Sequence, residues 1–351
     1  MGEMKDVSGR ARPGLCNRIV DAGSKKDCEK KRKNAEFGLV LAEMEMGADC
    51  CTKTIPRTTM NYAMRPKLNR ASLVFAAFAC SMSAQAADWS DTSIGYRYGT
   101  QFAEPVNANA IAKDIISLNH VSGYKYGSNF FNADLLMSDS KDPGGKGASD
   151  GAQEVYVVYR HTLDLGKVTG ASYKMGPVRG VGLVAGFDYN TKNDAGYNSK
   201  KRMLVAGPSL MLDVPGFLNV ALLGLWESNA PYSTFSGVAT PRYNYAPHPM
   251  VSVTWGIPLA FTGMPLAFEG FASFISEKGK NEFGGDTAAE TNVDMQVMYD
   301  LSGALGAKPK TFRLGAEYQY WNNKFGNDYT NAYYKGGAQA KTWMVRGEYH
   351  F

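Results

Sequence analysis

From Ala87 to Phe351 the apolar residues return at every second position rather than every third or fourth. Along 341–351, Trp343, Val345, Gly347, Tyr349 and Phe351 share one face, and Thr342, Met344, Arg346, Glu348 and His350 share the other. The same alternation sets Phe312, Leu314, Ala316, Tyr318 and Tyr320 against Arg313, Gly315, Glu317 and Gln319. It recurs over 293–301, with Asp294, Gln296, Met298 and Asp300 on the polar side, and over 251–259. Side chains of a strand point alternately to its two faces, so this period predicts strands with one apolar and one polar face. Twelve such segments are predicted, at 90–99, 112–125, 128–138, 153–163, 179–190, 202–213, 217–228, 250–260, 265–277, 290–301, 311–322 and 341–351.

A soluble sandwich would alternate too, so the connections and aromatics must decide. Pro215-Gly216, Thr262-Gly263-Met264 and 303–308 read as short turns; 140–150, 229–247, 279–287 and 326–340 are long, polar and rich in glycine. Tyr and Trp gather at strand ends: Trp89, Tyr98, Tyr159, Tyr189, Trp226, Tyr320 and Trp343. Short turns alternating with long loops, and aromatic girdles at both rims, describe an outer-membrane barrel. The chain ends on an aromatic residue, Phe351, at the close of an alternating strand. In hydrocarbon an unpaired sheet edge is excluded, so the expected fold is all-β, a closed antiparallel up-and-down transmembrane barrel of about twelve strands.

Composition changes the picture at the front of the chain. The 351 residues carry a formal net charge of +5, but residues 1–86 hold 15 of the 38 basic and 9 of the 33 acidic residues, leaving 23 and 24 in 87–351. The barrel segment is therefore close to neutral, and a nucleic-acid partner has no support. All five cysteines lie before residue 87, which suits passage of the remainder through an oxidising periplasm. Arg65, Lys67 and Arg70 precede the short apolar core 71–80, and Ala84-Gln85-Ala86 follows as an A-x-A cleavage site. That arrangement is a secretory signal peptide, and its core is too short to span a bilayer. A lipidated Cys80 is the alternative. Three parts are expected: an extension over 1–59, read as a misassigned start with translation from Met60 or Met64, a signal peptide over 60–86, and the barrel over 87–351.

The polar face should line the lumen. It supplies Arg97, Asp134, Glu154, Arg160, Asp188, Glu269, Asp294, Arg313, Glu317, Arg346 and Glu348, and the aromatics Phe130, Tyr156 and Phe271 take the same parity. Both charge signs occur, four arginines beside seven carboxylates, and a mixed lumen is expected to suit a dipolar or neutral polar solute better than an ion. Aromatic faces beside hydrogen-bonding groups could stack on a heterocycle or a sugar ring. The same residues equally serve to fill and neutralise a barrel interior.

The run from Asn119 to Asp134, with His120-Val-Ser-Gly-Tyr-Lys-Tyr-Gly127, the pair Phe130-Phe131 and the acidic Asp134, resembles a stretch of the Tsx-like nucleoside channels. Gly315 to Tyr320 and Arg346 to Phe351 resemble the same family. The resemblance implies a twelve-stranded monomeric barrel for passive, selective diffusion of nucleosides, with long loops serving as phage or colicin receptors. Strong similarity is confined to 119–134 and the last two strands, and 229–247 has no match. The expected surroundings are outer-membrane lipid and lipopolysaccharide, against which Lys200-Lys201-Arg202 could sit. Periplasmic chaperones and the barrel-assembly machinery would deliver the chain there. No cofactor or metal is expected, since His161, His248 and His350 lack ligand spacing.

Two stretches have the outline of enzymatic motifs. His120-x-Ser122 shares the spacing of an outer-membrane phospholipase dyad, since residues two apart on a strand share a face. Gly123 stands where that motif has Asn, and no third residue orients the histidine. Gly144-Gly145-Lys146-Gly147 lacks the spacing and the strand-to-helix context of a phosphate loop. A general porin and a barrel with a blocked lumen remain as further alternatives.

Overall fold

The computed structural model describes residues 87–233, 238–334 and 336–351. The extension expected over 1–59 and the signal peptide over 60–86 lie outside the described residues. Twelve long strands form one antiparallel ring: β1 (Trp89–Phe102), β2 (Ile111–Tyr124), β3 (Gly127–Ser138), β4 (Gln153–Asp164), β5 (Val178–Lys192) and β6 (Arg202–Leu212), then β7 (Phe217–Asn229), β8 (His248–Pro258), β9 (Leu266–Ile275), β10 (Glu290–Asp300), β11 (Phe312–Asn322) and β12 (Gln339–His350). Each strand pairs with its neighbours in sequence, and β12 pairs back onto β1 from Gly99↔Met344 to Ser93↔His350. The expected closed barrel is observed, with most strand ends within a residue or two of those predicted.

Closure follows from the backbone. Every ladder has a partner on both sides, so no strand presents the unpaired edge that hydrocarbon would penalise by several kcal/mol per group. The exposed face is apolar: Ile94, Ile116, Leu118, Leu183, Leu204, Leu222, Val297, Leu314 and Val345 all point outward. Aromatics collect at its two rims, with Tyr299, Phe312 and Tyr349 at one and Tyr98, Tyr189, Trp226 and Trp343 at the other, whereas Trp89, expected in the girdle, takes the inward parity of Arg97 and lies over Gly123. Neighbouring strands also pack outward rings against each other, as in Tyr318–Trp343 at 4.7 Å and Phe312–Tyr349 at 5.2 Å between centroids. Such pairs add about 0.5–1.5 kcal/mol each beyond the area they cover.

Connections at the end holding both termini are 125–126, 165–177, 213–216, 259–265 and 301–311; those at the opposite end are 103–110, 139–152, 193–201, 230–247, 276–289 and 323–338. The alternation of short and long is therefore looser than expected. The 165–177 connection opens with a helical turn, Leu165–Thr169, whose N-cap Asp164 accepts from the backbone N–H of Gly166 and Lys167. The 301–311 connection extends the turn expected at 303–308, because Asp300 accepts from the N–H groups of Ser302 and Lys310 and ties its two ends together. Within the long connections, Tyr197–Asn198, Tyr232–Ser233 and Val238–Ala239 form a small three-stranded ribbon, and Tyr243–Asn244 adds to the far end of β7.

Candidate functional site: an ion-paired lumen under a packed mouth

The strand register decides which side chains enter the barrel. Arg97, opposite Arg346 on β12, is 9 % exposed while its neighbours Tyr96 and Tyr98 are 50 % and 43 % exposed. The same parity, carried from strand to strand by the ladders, turns all fourteen expected residues inward: Arg97, Phe130, Asp134, Glu154, Tyr156, Arg160, Asp188, Glu269, Phe271, Asp294, Arg313, Glu317, Arg346 and Glu348.

Seven of them form one unbroken chain of ion pairs. Asp134 meets Arg97 at 2.6 Å, and Arg97 meets Glu317 at 2.9 Å. Glu317 meets Arg346 at 2.8 Å, and Arg346 meets Glu348 at 2.8 Å. Glu348 meets Arg313 at 3.1 Å, and Arg313 meets Glu269 at 2.7 Å. Ser117 on β2 accepts from Arg97, and Gln296 on β10 donates to Glu269, so this ladder runs across β9, β10, β11, β12, β1, β2 and β3. Planar guanidiniums suit the role, since one fork can hold two carboxylates at once. Arg160, Asp188 and Tyr156 make a separate group on β4 and β5, with the Tyr156 hydroxyl donating to Asp188 at 3.0 Å.

The opposite wall is different in kind. Val184, Val205, Ala221, Leu223, Leu225 and Met250 pack into one inward-facing cluster on β5 to β8, joined by Met203 and Ile275. The polar inner face expected of most strands is thinner in this sector, where Ser209, Asn219, Ser252 and Thr254 are the polar side chains nearer the turn end. The lumen thus has an ion-paired side and, facing it, a side with an apolar cluster. Phe271 stands between them, opposite Thr254 on one side and Asp294 on the other. Several polar atoms on the inner surface have no partner among the described residues: Arg97 Nε, Asp134 Oδ1, Asn119 Nδ2, Asn219 Oδ1 and Asn292 Oδ1. Buried polar groups are ordinarily satisfied, so these atoms stand out against the ion-paired surroundings.

At the long-loop end, residues that the sequence pattern did not reveal are packed together inside the barrel mouth. Glu104 binds three lysines, Lys113 at 2.5 Å, Lys324 at 2.9 Å and Lys192 at 3.4 Å. Of the fourteen expected residues only Glu154 belongs here, 3.7 Å from Lys113. Beside it, Glu227 binds Lys278 and Lys201 at 2.8 and 2.9 Å. Phe325 joins the two clusters: Lys201 Nζ lies 4.1 Å and Lys324 Nζ 5.2 Å from its ring centroid, and its ring stacks on Tyr197. Desolvated cation–π contacts of this kind are worth about 2 kcal/mol. The backbone there is strained, with Asn323 at φ 53° and Phe325 at φ 62°, a region that a bulky residue rarely occupies. Gly326 at φ 79° continues the turn, and a Cβ on it would stand 2.9 Å from Lys278. Period two could have flagged Lys113, which shares its parity with Ser117, but the apolar Ile111 and Ile115 on that face disguise it. Loop residues such as Glu104, Lys278 and Phe325 carry no periodic signal at all.

The dyad His120-x-Ser122 is not assembled. Both side chains face outward, but His120 Nδ1 bonds Thr92 Oγ1 at 2.8 Å and Ser122 Oγ accepts from Asn129 Nδ2 at 3.4 Å. The histidine that does touch Asn129 is His161, whose other ring nitrogen meets the Tyr124 hydroxyl at 3.0 Å.

No protein-family model and no curated protein matches the sequence. Among solved structures, the chain is similar to a KdgM porin at 12 % identity, with a TM-score of 0.36, over 74 % of this chain and 99 % of that one. It is similar to the translocator domain of the autotransporter NalP from Neisseria meningitidis at 11 % identity, TM-score 0.37, over 80 % and 96 %. It is also similar to Pseudomonas putida OprB at 8 % identity, TM-score 0.29, over 79 % and 97 %. Similarity this distant carries nothing about solute or activity.

Proposed function

We propose that this barrel is a Gram-negative outer-membrane channel for passive, selective diffusion of nucleosides or similar small polar solutes. The observation that carries the proposal is the two-sided lumen, with an ion-pair ladder from Asp134 to Glu269 facing an apolar cluster from Val184 to Ile275. A nucleoside has an apolar heterocycle face and a hydroxylated edge, and such a bore accommodates both at once. With three guanidiniums set against four carboxylates, the ladder is largely compensated and offers hydrogen bonds with a small net negative charge, which passage of an uncharged solute tolerates. The hairpin β2–β3 contributes Asn119, Phe130 and Asp134 to the lumen, and these fall within the stretch that resembles the Tsx-like channels. The apolar exterior and its two aromatic rims fit a bilayer, and the long-loop end would face outward. Lipid and lipopolysaccharide would surround the barrel, and a monomer is the expected state.

The test is flux. The protein, purified from the envelope of an expressing Gram-negative host and placed in liposomes, should pass adenosine and thymidine faster than a sugar or an amino acid of similar size. Charge reversal at Arg313 or Glu317 should abolish that preference. Equal flux of all four would make it a general small porin, and release of fatty acid dependent on Ser122 would favour a lipase.

A further inference from the structure

The basic run Lys200-Lys201-Arg202 is divided by strand alternation. Lys201 turns into the lumen and pairs with Glu227, whereas Arg202, the first residue of β6, is exposed on the outward face. A second arginine is laid over the same spot from the 230–247 connection. Arg242 Nη1 donates to Ser228 Oγ at 3.0 Å, and its Nη2 donates to the Lys200 carbonyl at 3.1 Å. Ser228 is the cross-strand partner of Arg202, so two guanidiniums are held side by side. Among the described residues neither has a carboxylate in ion-pair reach, and burial together with the Arg202 charge pushes the Arg242 guanidinium down from its ordinary value.

Like charges fixed in contact without a counter-ion are unfavourable unless an anion completes the arrangement. Here the anion can be specified by what lies beneath. One step toward mid-barrel on the same outward face are Leu204 and its cross-strand partner Trp226, 45 % and 52 % exposed, with Tyr189 beside them. A ligand must therefore present a phosphate at the rim and a hydrocarbon chain below it. Guanidinium forks match phosphate oxygens two at a time, and Trp and Tyr sit at the level where headgroup meets acyl chain.

We infer that Arg202 and Arg242 clamp a phosphate of lipid A, the phosphorylated multi-acyl anchor of lipopolysaccharide, against the outer rim of β6 and β7. This rests on the outer-membrane reading and on the long-loop end facing outward. The clamp holds a lipid at a fixed point on the wall and lies outside the lumen.

The experiment is native mass spectrometry of the full protein, purified from the host envelope, with added diphosphoryl lipid A, dephosphorylated lipid A and phosphatidylglycerol as probes. Diphosphoryl lipid A should be retained in preference to the other two. R202Q and R242Q should each weaken retention about tenfold, and K174Q, on the opposite end of the barrel, should leave it unchanged. Heat-modifiable migration on a gel confirms that each variant is folded. Equal retention of lipid A by the folded R202Q/R242Q double variant, or equal retention of the dephosphorylated probe, overturns the proposal. Solute flux through the unaltered protein separates the two ideas: no preference for diphosphoryl lipid A with flux intact rejects the clamp alone, and absent flux with lipid A retained rejects only the channel.

Discussion

Arg97 and Arg346 stand directly opposite one another across the β1–β12 seam, and the single carboxylate of Glu317 holds both, at 2.9 and 2.8 Å. Two like charges in cross-strand register would push the closing strands apart. Glu317, fully buried on β11, turns that repulsion into a bridge across three strands, and the seam is ion-paired as well as hydrogen-bonded.

Glu317→Gln should therefore weaken the barrel more than its neutral shape suggests. Removing one partner of a buried pair costs about 3–5 kcal/mol, because the charges left behind remain uncompensated. The expected outcome is a lower temperature for loss of the compact, fast-migrating band on a semi-native gel. An unchanged transition would mean that the seam depends on backbone pairing alone.

Arg313 has a different place in the ladder. It joins Glu269 to Glu348 near the turn end, away from the seam. Arg313→Glu leaves three carboxylates together and should shift the reversal potential in a salt gradient toward cation preference. Selectivity indistinguishable from the unaltered protein would place Arg313 outside the conducting path.

The packed mouth should respond to acid. Burial by itself would push the Glu104 carboxyl up, but Lys113, Lys192 and Lys324 outweigh burial and hold it well below the ordinary carboxylate range. A carboxylate depressed in the folded arrangement stabilises it fully above the unperturbed value, about 4.3 for Glu, and loses that contribution as pH falls below it. Asp194 acts with the opposite sign: burial and Asp142 push it up against Lys192, so its ionisation opposes closure as pH rises. With three lysines gathered on Glu104, the Glu104 effect should dominate. Conductance should stay level through neutral pH and rise reversibly below about pH 4.3. Glu104→Gln should already be open at pH 7 and insensitive to acid, while Asp194→Asn should keep the acid response. A flat profile in the unaltered protein would remove the mouth from the conduction pathway.

Phe325→Gly should loosen the same mouth without unfolding the barrel. Glycine relieves the left-handed backbone at φ 62° and deletes the ring that Lys201 and Tyr197 pack against. A larger single-channel conductance is expected, with the gel transition of the barrel unchanged. A mouth already open in the unaltered protein would show no difference.

The N-terminal part is tested most directly by mass. The mature chain isolated from the envelope should begin at Ala87, after the Ala84-Gln85-Ala86 site. A chain beginning at Cys80 with added lipid would instead favour the lipoprotein alternative.

What was legible in the sequence was whatever repeats with period two. Trp343 and Arg346 could be sent to opposite faces because a strand offers only two. The same rule placed Arg97, Glu317 and Glu348 in the lumen without any knowledge of which strand lay beside which. It could not show that Asp134 and Glu269, far apart in sequence, end the same ladder, since that depends on the ring being closed. The apolar sector was obscured for a physical reason. Leu223 and Leu225 face inward, yet Leu222 faces outward, so β7 is apolar on both sides and alternation vanishes. Glu104, Lys278 and Phe325 were hidden because loop geometry is set by contacts that form only after the strands have closed.

The pairing of β12 with β1 also leaves the ring without a first strand. The Phe351 N–H donates to the Thr92 carbonyl at 3.0 Å, so the two ends of the barrel segment meet on the same rim. Every strand lies between the two that precede and follow it around the circle, and order along the chain is one of several equivalent places to cut it. A circular permutant joined from Phe351 to Ala87 and opened within 139–152 would keep all twelve ladders, and the Arg97–Glu317–Arg346 bridge would then lie inside a continuous run of chain.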